Sequence, residues 1–220
     1  MPSQQRLTGL LWLGKWFLVI ILLVLIVDLF CVFLLWSPDG VWRLQSVLHR
    51  EVELLGLPQS DINYLAGITK SFHDTVFVAT GIDGMMRHAA SLPPADESRP
   101  SALDFTETLR PVIETAMIGL QLFALRIGVL ILTLPFLVLV TLAAMADGFV
   151  GWFLRRTGGE RESGFIYHRA KRGLAWSFLL LWAIYLIPPV PMDPKYLVPP
   201  FLLAAGTATR LHVSFFKKYL

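Results

Sequence analysis

The chain has 220 residues, of which 55% are hydrophobic and 16% charged, and its mean hydropathy is +0.61. A soluble domain of this size needs more charge to cover its surface, so the composition argues against an ordinary soluble protein and favours an integral membrane protein. The single cysteine, Cys31, excludes an intrachain disulfide.

Four apolar blocks are candidates for transmembrane helices. About 20 helical residues cross ~30 Å of hydrocarbon, and the uncharged runs 127–146 and 173–192 have that length. The first block, 16–36, contains one charge, Asp28. It exceeds the usual apolar core of a signal peptide, roughly 7–15 residues, so we expect it to remain as a signal anchor. The fourth block, 196–216, is interrupted by Arg210 after fourteen uncharged residues.

Residues 37–126 are expected to form a small helical domain between the first two spans. Apolar residues recur every three or four positions at Val41, Leu44, Leu48, Val52 and Leu55, which is typical of one face of a helix. Gly56 and Pro58 end this helix.

A second helix of this domain is expected to begin at a cap formed by Ser60 or Asp61. Its apolar stripe lies within residues 62–79. Gly81 and Gly84 then weaken or bend the end of the helix.

A third helix is predicted to lead into the second span. Ser91–Pro100 is a loop with three prolines, and Ser101–Asp104 resembles a capping box. Residues 112–125 are mostly apolar, so the second span is expected to extend out of the membrane as one long helix, packed on the outer helices. The alternative is that 112–125 lies within the bilayer, in a span that is tilted or kinked at Pro135.

Asp28 is the polar residue of the first span that most needs an explanation. A lone carboxylate at that depth costs on the order of 2.5–3.5 kcal/mol. Arg126, at the outer end of the second span, is the predicted partner of this intramembrane pair. A proton or ion pathway and a contact with a partner protein's helix are the alternatives. Ala204 and Ala208 offer a small-residue face, a weak sign of homo-oligomerisation.

Charge divides the chain into two sides. Residues 1–15, 147–172 and 210–220 hold eleven Lys or Arg and three acids, net +8, whereas 37–125 with the turn at 193–195 hold seven bases and twelve acids, net −5. The positive-inside rule therefore places both termini and the 147–172 loop in the cytoplasm of a bacterium, with the outer domain in the periplasm.

The sequence thus predicts an all-α inner-membrane protein with four transmembrane helices. Its segments are a cytoplasmic N-terminus 1–15, a first span 16–36, a periplasmic helical domain 37–126, a second span 127–146, a basic cytoplasmic loop 147–172, a third span 173–192, a short periplasmic turn 193–195, a fourth span 196–216 and a cytoplasmic C-terminus 217–220.

No pattern in the chain favours an enzyme. There is no phosphate-binding Gly-x-x-x-x-Gly-Lys-Ser/Thr loop, no Gly-x-Ser-x-Gly elbow and no His-Glu-x-x-His motif. The five histidines are not grouped with Cys or acids at metal-ligand spacing. We predict no catalytic residue, no metal and no cofactor.

The loop 147–172 holds six of the nineteen Lys and Arg residues. Membrane topology alone explains this basicity, because inner loops are basic in most membrane proteins. The order of the residues carries more information: Asp147 and Gly148 are expected to end the second helix, and Gly158 and Gly159 to form a turn.

This order resembles the membrane proteins of integrating conjugative elements, a bacterial family grouped with TraJ-like inner-membrane proteins of conjugation. The resemblance is close from about residue 147 to 220, although residues 158–160 and 163–164 depart slightly from the family pattern. The stretches that carry it are Asp147-Gly-Phe-Val, Leu154-Arg-Arg, Gly158-Gly-x-Arg161-Glu-Ser163, Phe165-Ile-Tyr-His168, Ala170-Lys-Arg172 and Phe216-Lys-Lys-Tyr-Leu220.

The resemblance implies a role in conjugative DNA transfer beside a TraD/TraG-type coupling ATPase or other subunits of a type IV secretion channel, with membrane lipid as the surroundings. It carries over no enzymatic activity. Direct contact between the loop and DNA stays open, and a small transporter or channel subunit that uses Asp28 and Arg126 is the alternative function. The residues expected to bind the partner are Arg155, Arg156, Arg161, Tyr167, His168, Lys171 and Arg172.

Overall fold

A computed structural model describes residues 2–91, 101–159 and 164–216, with side chains described for 14–88, 91, 109–159 and 165–216. These residues form seven α-helices and no strand, which confirms the all-helical prediction. Single π-helical turns, Cys31–Leu35 and Asp74–Val78, continue the first and third helices. The helices are α1 Pro2–Phe30, α2 Gly40–Leu55, α3 Gln59–His73, α4 Ile82–Ser91, α5 Ser101–Gly158, α6 Gly164–Leu186 and α7 Pro194–Ser214.

Two stretches of the described chain, Gly14–Leu35 and Leu109–Gly158, are long and apolar enough to cross a membrane. Helices α6 and α7 each carry only fourteen uncharged residues in a row, 173–186 and 196–209, about 21 Å of helix against ~30 Å of hydrocarbon. By length and composition the structure therefore supports two spans, one on α1 and one on α5.

Helix α6 ends at Leu186 and not at residue 192, where the third predicted span ends. Pro188 and Pro189 follow, and proline lacks the amide hydrogen that would continue the helix. The connection to α7 is accordingly longer than the expected turn at 193–195. The Asp193 side chain caps α7 by accepting the Lys195 amide at 2.9 Å.

The expected long helix is confirmed by α5, which runs unbroken for 58 residues through Pro111 and Pro135. Its apolar stretch of 50 residues corresponds to about 75 Å of helix, more than twice the hydrocarbon thickness. The expectation that Asp147 and Gly148 end this helix is wrong, since α5 continues to Gly158. The break comes at Gly159, whose φ of 66° lies in the left-handed region that ends many helices.

The chain divides into two compact units. Unit 1 consists of Met1–Gly128 and Leu186–Pro191, and unit 2 of Val129–Tyr185 and Met192–Leu220. Each unit therefore contains two separate stretches of the sequence, and α5 contributes to both.

In unit 1, α2 buries one face against the end of α1 and against α5. Leu44 and Val47 pack in one cluster with Val32 and Leu122. The buried face of α2 is rotated from the expected one, since Val52 is 37% exposed whereas Val47 and Glu51 are buried. The helix ends as predicted at Gly56, whose φ is 51°.

The remaining helices of unit 1 differ from expectation at their ends. Pro58 is the N-cap residue of α3, so Ser60 and Asp61 lie in its first turn and do not cap it. Gly81, at φ 78°, separates this helix from α4, and Gly84 lies inside α4. The predicted proline loop, from residue 92 on, is outside the described residues, and the side chains of the Ser101–Asp104 capping box are outside the described side chains.

In unit 2, α5 and α7 pack closely where glycines remove the side chain. A Cβ at Gly148 would lie 2.8 Å from the Arg210 carbonyl oxygen, and one at Gly206 would lie 2.9 Å from Val140 Cγ1. Ala205 and Ala208 are buried nearby on α7. Ala205, Gly206 and Ala208 therefore serve packing within the chain, whereas Ala204 is exposed, and homo-oligomerisation stays a prediction.

Candidate functional site

The strongest polar site of unit 1 is built around Arg126 of α5, which is 1% exposed. Its Nε and Nη2 donate to the two carboxylate oxygens of Glu51 at 2.8 and 2.7 Å. Its Nη1 donates to the Pro188 carbonyl oxygen at 2.7 Å and Nη2 to that of Val190 at 2.8 Å. One side chain thus joins α2, α5 and the segment 186–191.

This geometry explains how unit 1 accommodates two buried charges. A bidentate arginine–carboxylate pair satisfies both planar groups at once, and the two carbonyl oxygens accept further guanidinium hydrogens. Desolvating the ions costs several kcal/mol each, which the mutual attraction offsets only when such hydrogen bonds are complete. Arg126 therefore acts as a structural tie.

Arg126 pairs directly with Glu51, a partner that the sequence analysis did not name, and the intramembrane pair with Asp28 stays a prediction. Asp28 is 1% exposed, and neither of its carboxylate oxygens has a hydrogen-bond partner within the part of the chain that is described. Glu51 takes this role because it lies on the buried face of α2 and presents both oxygens to the guanidinium.

A sequence signal for Glu51 was present but was missed. Glu51 lies four residues from both Val47 and Leu55, so it shares their helix face. An acid inside an apolar stripe has to meet a cation when the stripe is buried. The predicted stripe listed only the apolar residues of this face and left Glu51 unassigned.

Asp28 lies against α5 at Gly119. A methyl group at position 119 would overlap the Asp28 carboxylate, with 3.2 Å to its Cγ. Thr115, one turn before Gly119, is also buried and donates its hydroxyl to the Pro111 carbonyl oxygen at 2.7 Å. This places a buried carboxylate beside a backbone that has room for it only because residue 119 is glycine.

In unit 2, two of the seven predicted partner-binding residues contact the end of α7. Arg155 donates to Ser214 Oγ, and its guanidinium carbon lies 3.6 Å from the centre of the Phe215 ring. Tyr167 stacks on His212 with ring centres 4.5 Å apart and an interplanar angle of 24°. These residues hold the end of α7 to α5 and α6.

Four others are exposed: Arg156, His168, Lys171 and Arg172. Arg156 lies near the Trp152 ring, 5.3 Å from its centre. The seventh, Arg161, is outside the described residues. The predicted set therefore separates into two residues that stabilise unit 2 and four that are available on its surface.

Arg210 has a second role that the sequence did not indicate. It forms an ion pair with Asp147 of α5. Both side chains are more than half exposed, so the pair contributes little free energy, about 0–1 kcal/mol. It adds a further link between the ends of α5 and α7.

The fold and these sites define an all-helical protein with two helices long and apolar enough to cross a membrane. A family model described as IncC plasmid conjugative DNA transfer protein DtrJ-like matches residues 35–217. The chain belongs to this DtrJ-like family. No curated protein and no solved structure matches the chain. The match confirms the connection with conjugative DNA transfer that the sequence resemblance implied.

Proposed function

We propose that the protein is a non-enzymatic inner-membrane subunit of a bacterial conjugative DNA-transfer system of the type IV secretion kind. The observation that carries the proposal is the family match over residues 35–217. Its support in the structure is the exposure of Arg156 near the end of α5 and of Lys171 and Arg172 in the first turns of α6.

The proposed topology has four spans, with both termini and the segment 147–172 in the cytoplasm and the helices of 37–126 in the periplasm. The charge difference between the two sides supports this orientation. Helices α6 and α7 are short for a full crossing. Because α6 and α7 are joined by a short connection, the chain returns after α7 to the side of the membrane from which α6 entered. The predicted side of the C-terminus is therefore the same whether these two helices cross the bilayer fully or only partly.

Reporter fusions test this orientation. Alkaline phosphatase is active only after export, so a fusion at residue 220 should be inactive and a fluorescent protein at the same position should be bright. A fusion inserted in the 92–100 segment should give the reverse. Active phosphatase at the C-terminus would contradict the proposed orientation.

The proposed partner is the coupling ATPase of TraD/TraG type, contacted through Lys171 and Arg172 with His168 beside them. These side chains are exposed on the first turns of α6, where charged groups steer a partner of opposite charge and set its orientation. Arg155 and Tyr167 support this surface from inside by holding α7 in place.

The decisive experiment is the double variant Lys171→Gln/Arg172→Gln in the complete transfer system. Loss of two contacts worth about 1.4 kcal/mol together corresponds to a tenfold weaker complex. We expect about a tenfold lower transfer frequency at a normal protein level in the membrane. The control is Arg43→Gln/Arg50→Gln, which removes two exposed bases of α2. Equal transfer by both double variants would refute the proposed surface.

A small transporter or channel subunit is a second candidate, favoured by one observation. Asp28 is buried and its carboxylate has no hydrogen-bond partner among the described residues, and intramembrane carboxylates often mark ion pathways. Flux of protons or cations through the purified protein in vesicles, abolished by Asp28→Asn, would support it. Absence of flux in the unaltered protein would exclude it.

A further inference from the structure

Unit 2 contains an apolar cavity where α5 and α7 end. Its volume is about 410 Å³, and it is lined by Phe149, Trp152, His212, Val213 and Phe216. Ligand sites in proteins commonly have ~300–1,000 Å³ and mostly apolar walls with a few polar groups. The cavity has this character, since His212 is the one polar side chain in its lining.

The walls of the cavity are held by contacts among three helices. A Cβ at Gly151 would lie 2.9 Å from Ser214 Oγ, so the backbone of α5 packs against the Ser214 side chain of α7 beside the cavity. Tyr167 of α6 stacks on His212 and meets Phe216 edge-on, with ring centres 6.2 Å apart. The cavity is therefore part of the packing of unit 2 and not a gap between loose side chains.

Cationic groups border this apolar space. The Arg156 guanidinium lies near the ring of Trp152, which lines the cavity, and Arg155 lies over Phe215 on the neighbouring turn of α7. His212 Nδ1 is buried without a hydrogen-bond partner in the described structure. A ligand that fits this site has an apolar chain for the aromatic lining, a polar group that can bond to His212 and a negative charge for the arginines.

We propose that this cavity binds an anionic phospholipid, with one acyl chain against the aromatic lining and the phosphate at Arg156. The surrounding surface favours a lipid over a soluble anion. Phe149 is 56%, Phe153 60% and Leu154 62% exposed on a helix that is apolar enough to cross a membrane. Aromatic residues and arginines at the end of such a helix are the groups that meet lipid headgroups.

The test uses the full-length protein, extracted in mild detergent and mixed with phosphatidylglycerol or phosphatidylcholine. Native mass spectrometry counts retained lipid, and thermal unfolding measures stabilisation. We expect phosphatidylglycerol to be retained and to raise the melting temperature, and phosphatidylcholine to do so much less. Arg156→Gln should weaken retention of phosphatidylglycerol about tenfold, the loss of ~1.4 kcal/mol. Arg43→Gln, on α2, should leave retention unchanged.

Phe149→Ala probes the apolar part of the site, and it should reduce retention of both lipids. If that variant does not fold, the Arg156→Gln variant and the comparison of the two lipids still test whether the cavity binds an anionic phospholipid. Equal retention of the two lipids, no retention by the folded protein, or full retention by Arg156→Gln would overturn the proposal. A photo-crosslinker at Phe149 that joins a protein and no lipid in cells would also overturn it, in favour of a partner's helix. Because these measurements do not involve DNA transfer, their failure is distinct from failure of the proposed role in conjugation.

Discussion

Arg126, which organises unit 1, and Arg156, on the surface of unit 2, differ in how many of their N–H groups the fold already binds. In unit 1, Arg126 is almost fully buried, and it makes four hydrogen bonds to Glu51 and to two carbonyl oxygens. In unit 2, Arg155 and Arg156 lie against aromatic rings near the end of α5, and Arg156 is exposed. The residue type is the same, but the number of guanidinium N–H groups that already donate to acceptors within the fold differs.

This difference indicates which arginines can bind lipid or a partner protein. A buried guanidinium whose hydrogens are bound within the fold can contribute only to stability. A guanidinium that lies over a ring keeps donors towards solvent, lipid or a partner. The variants below test this distinction, in order of decreasing expected effect.

Replacing Arg126 with Met should have the largest effect. The change leaves the Glu51 carboxylate buried without its cation, and breaking a buried pair from one side costs about 3–5 kcal/mol. We expect the free energy of unfolding in mild detergent to fall by that amount, as measured by denaturant titration followed by tryptophan fluorescence.

Two further variants sharpen this result. Glu51→Leu combined with Arg126→Met removes both charges and should recover part of the loss, because a buried pair replaced by apolar groups is often tolerated. Arg110→Gln breaks an exposed pair with Glu114 and should cost less than ~1 kcal/mol. An Arg126→Met protein as stable as the parent would contradict the structural role.

Gly148→Ala should destabilise unit 2 by about 2–3 kcal/mol, within the usual range for overpacking. The added Cβ would lie 2.8 Å from the Arg210 carbonyl oxygen and 2.9 Å from Val213 Cβ, and the backbone oxygen cannot move without displacing α7. The midpoint of thermal unfolding measures the effect. Gly158→Ala is the control, since nothing lies within 4 Å of its Cβ position. Equal midpoints for the two variants would argue against close α5–α7 packing.

Gly119→Ala should cost unit 1 a smaller amount, about 1–2 kcal/mol. The new methyl group would meet the Asp28 carboxylate, a side chain that can shift more easily than backbone. Gly67→Ala has open space around it and should gain up to ~1 kcal/mol from helix propensity. Both are measured as denaturant midpoints. Combining Gly119→Ala with Asp28→Ala should relieve the overlap, and a double variant no better than Gly119→Ala alone would refute this contact.

The smallest effects should separate Arg155 from Arg156. Arg155→Gln removes a hydrogen bond to Ser214 and a contact with the Phe215 ring, together worth about 1–2 kcal/mol. Arg156→Gln should change stability by less than ~0.5 kcal/mol, as exposed substitutions usually do. Thermal unfolding of the two variants side by side measures the difference. A larger loss for Arg156→Gln would reverse the assignment of structural and surface arginines.

The sequence predicted the features that depend on local pattern. The apolar run through residues 112–146 predicted one long helix, and Gly56 and Gly81 marked helix ends, because propensity and periodicity are properties of neighbouring residues. The end of α5 was predicted eleven residues too early, at Asp147 and Gly148. The end of α6 at Leu186 also has a local cause, because Pro188 and Pro189 cannot continue the helix. The uncharged run to residue 192 nevertheless predicts a longer span.

Contacts between distant residues were not predictable in the same way. Arg155 and Ser214 are 59 residues apart, and nothing in either segment identifies the other. Glu51 and Arg126 are 75 apart, and Arg126 was assigned to Asp28 because both lie in apolar runs. Choosing among several possible partners requires knowing how the helix faces pack, and Glu51 was not considered because the stripe on α2 was defined by its apolar residues alone.

The bonds from Arg126 to the carbonyl oxygens of Pro188 and Val190 span 62 and 64 residues of sequence, which has a consequence for biosynthesis. While the ribosome is still adding the residues before 188, the guanidinium lacks two of its acceptors. Unit 1 cannot reach its final state until most of unit 2 has been synthesised. A fragment cut at residue 128 would contain α1 to α4 and the Glu51–Arg126 pair, but it would lack the Pro188 and Val190 carbonyl oxygens that accept hydrogen bonds from Arg126. Such a fragment should be a substrate for membrane proteases, whereas the complete chain should not.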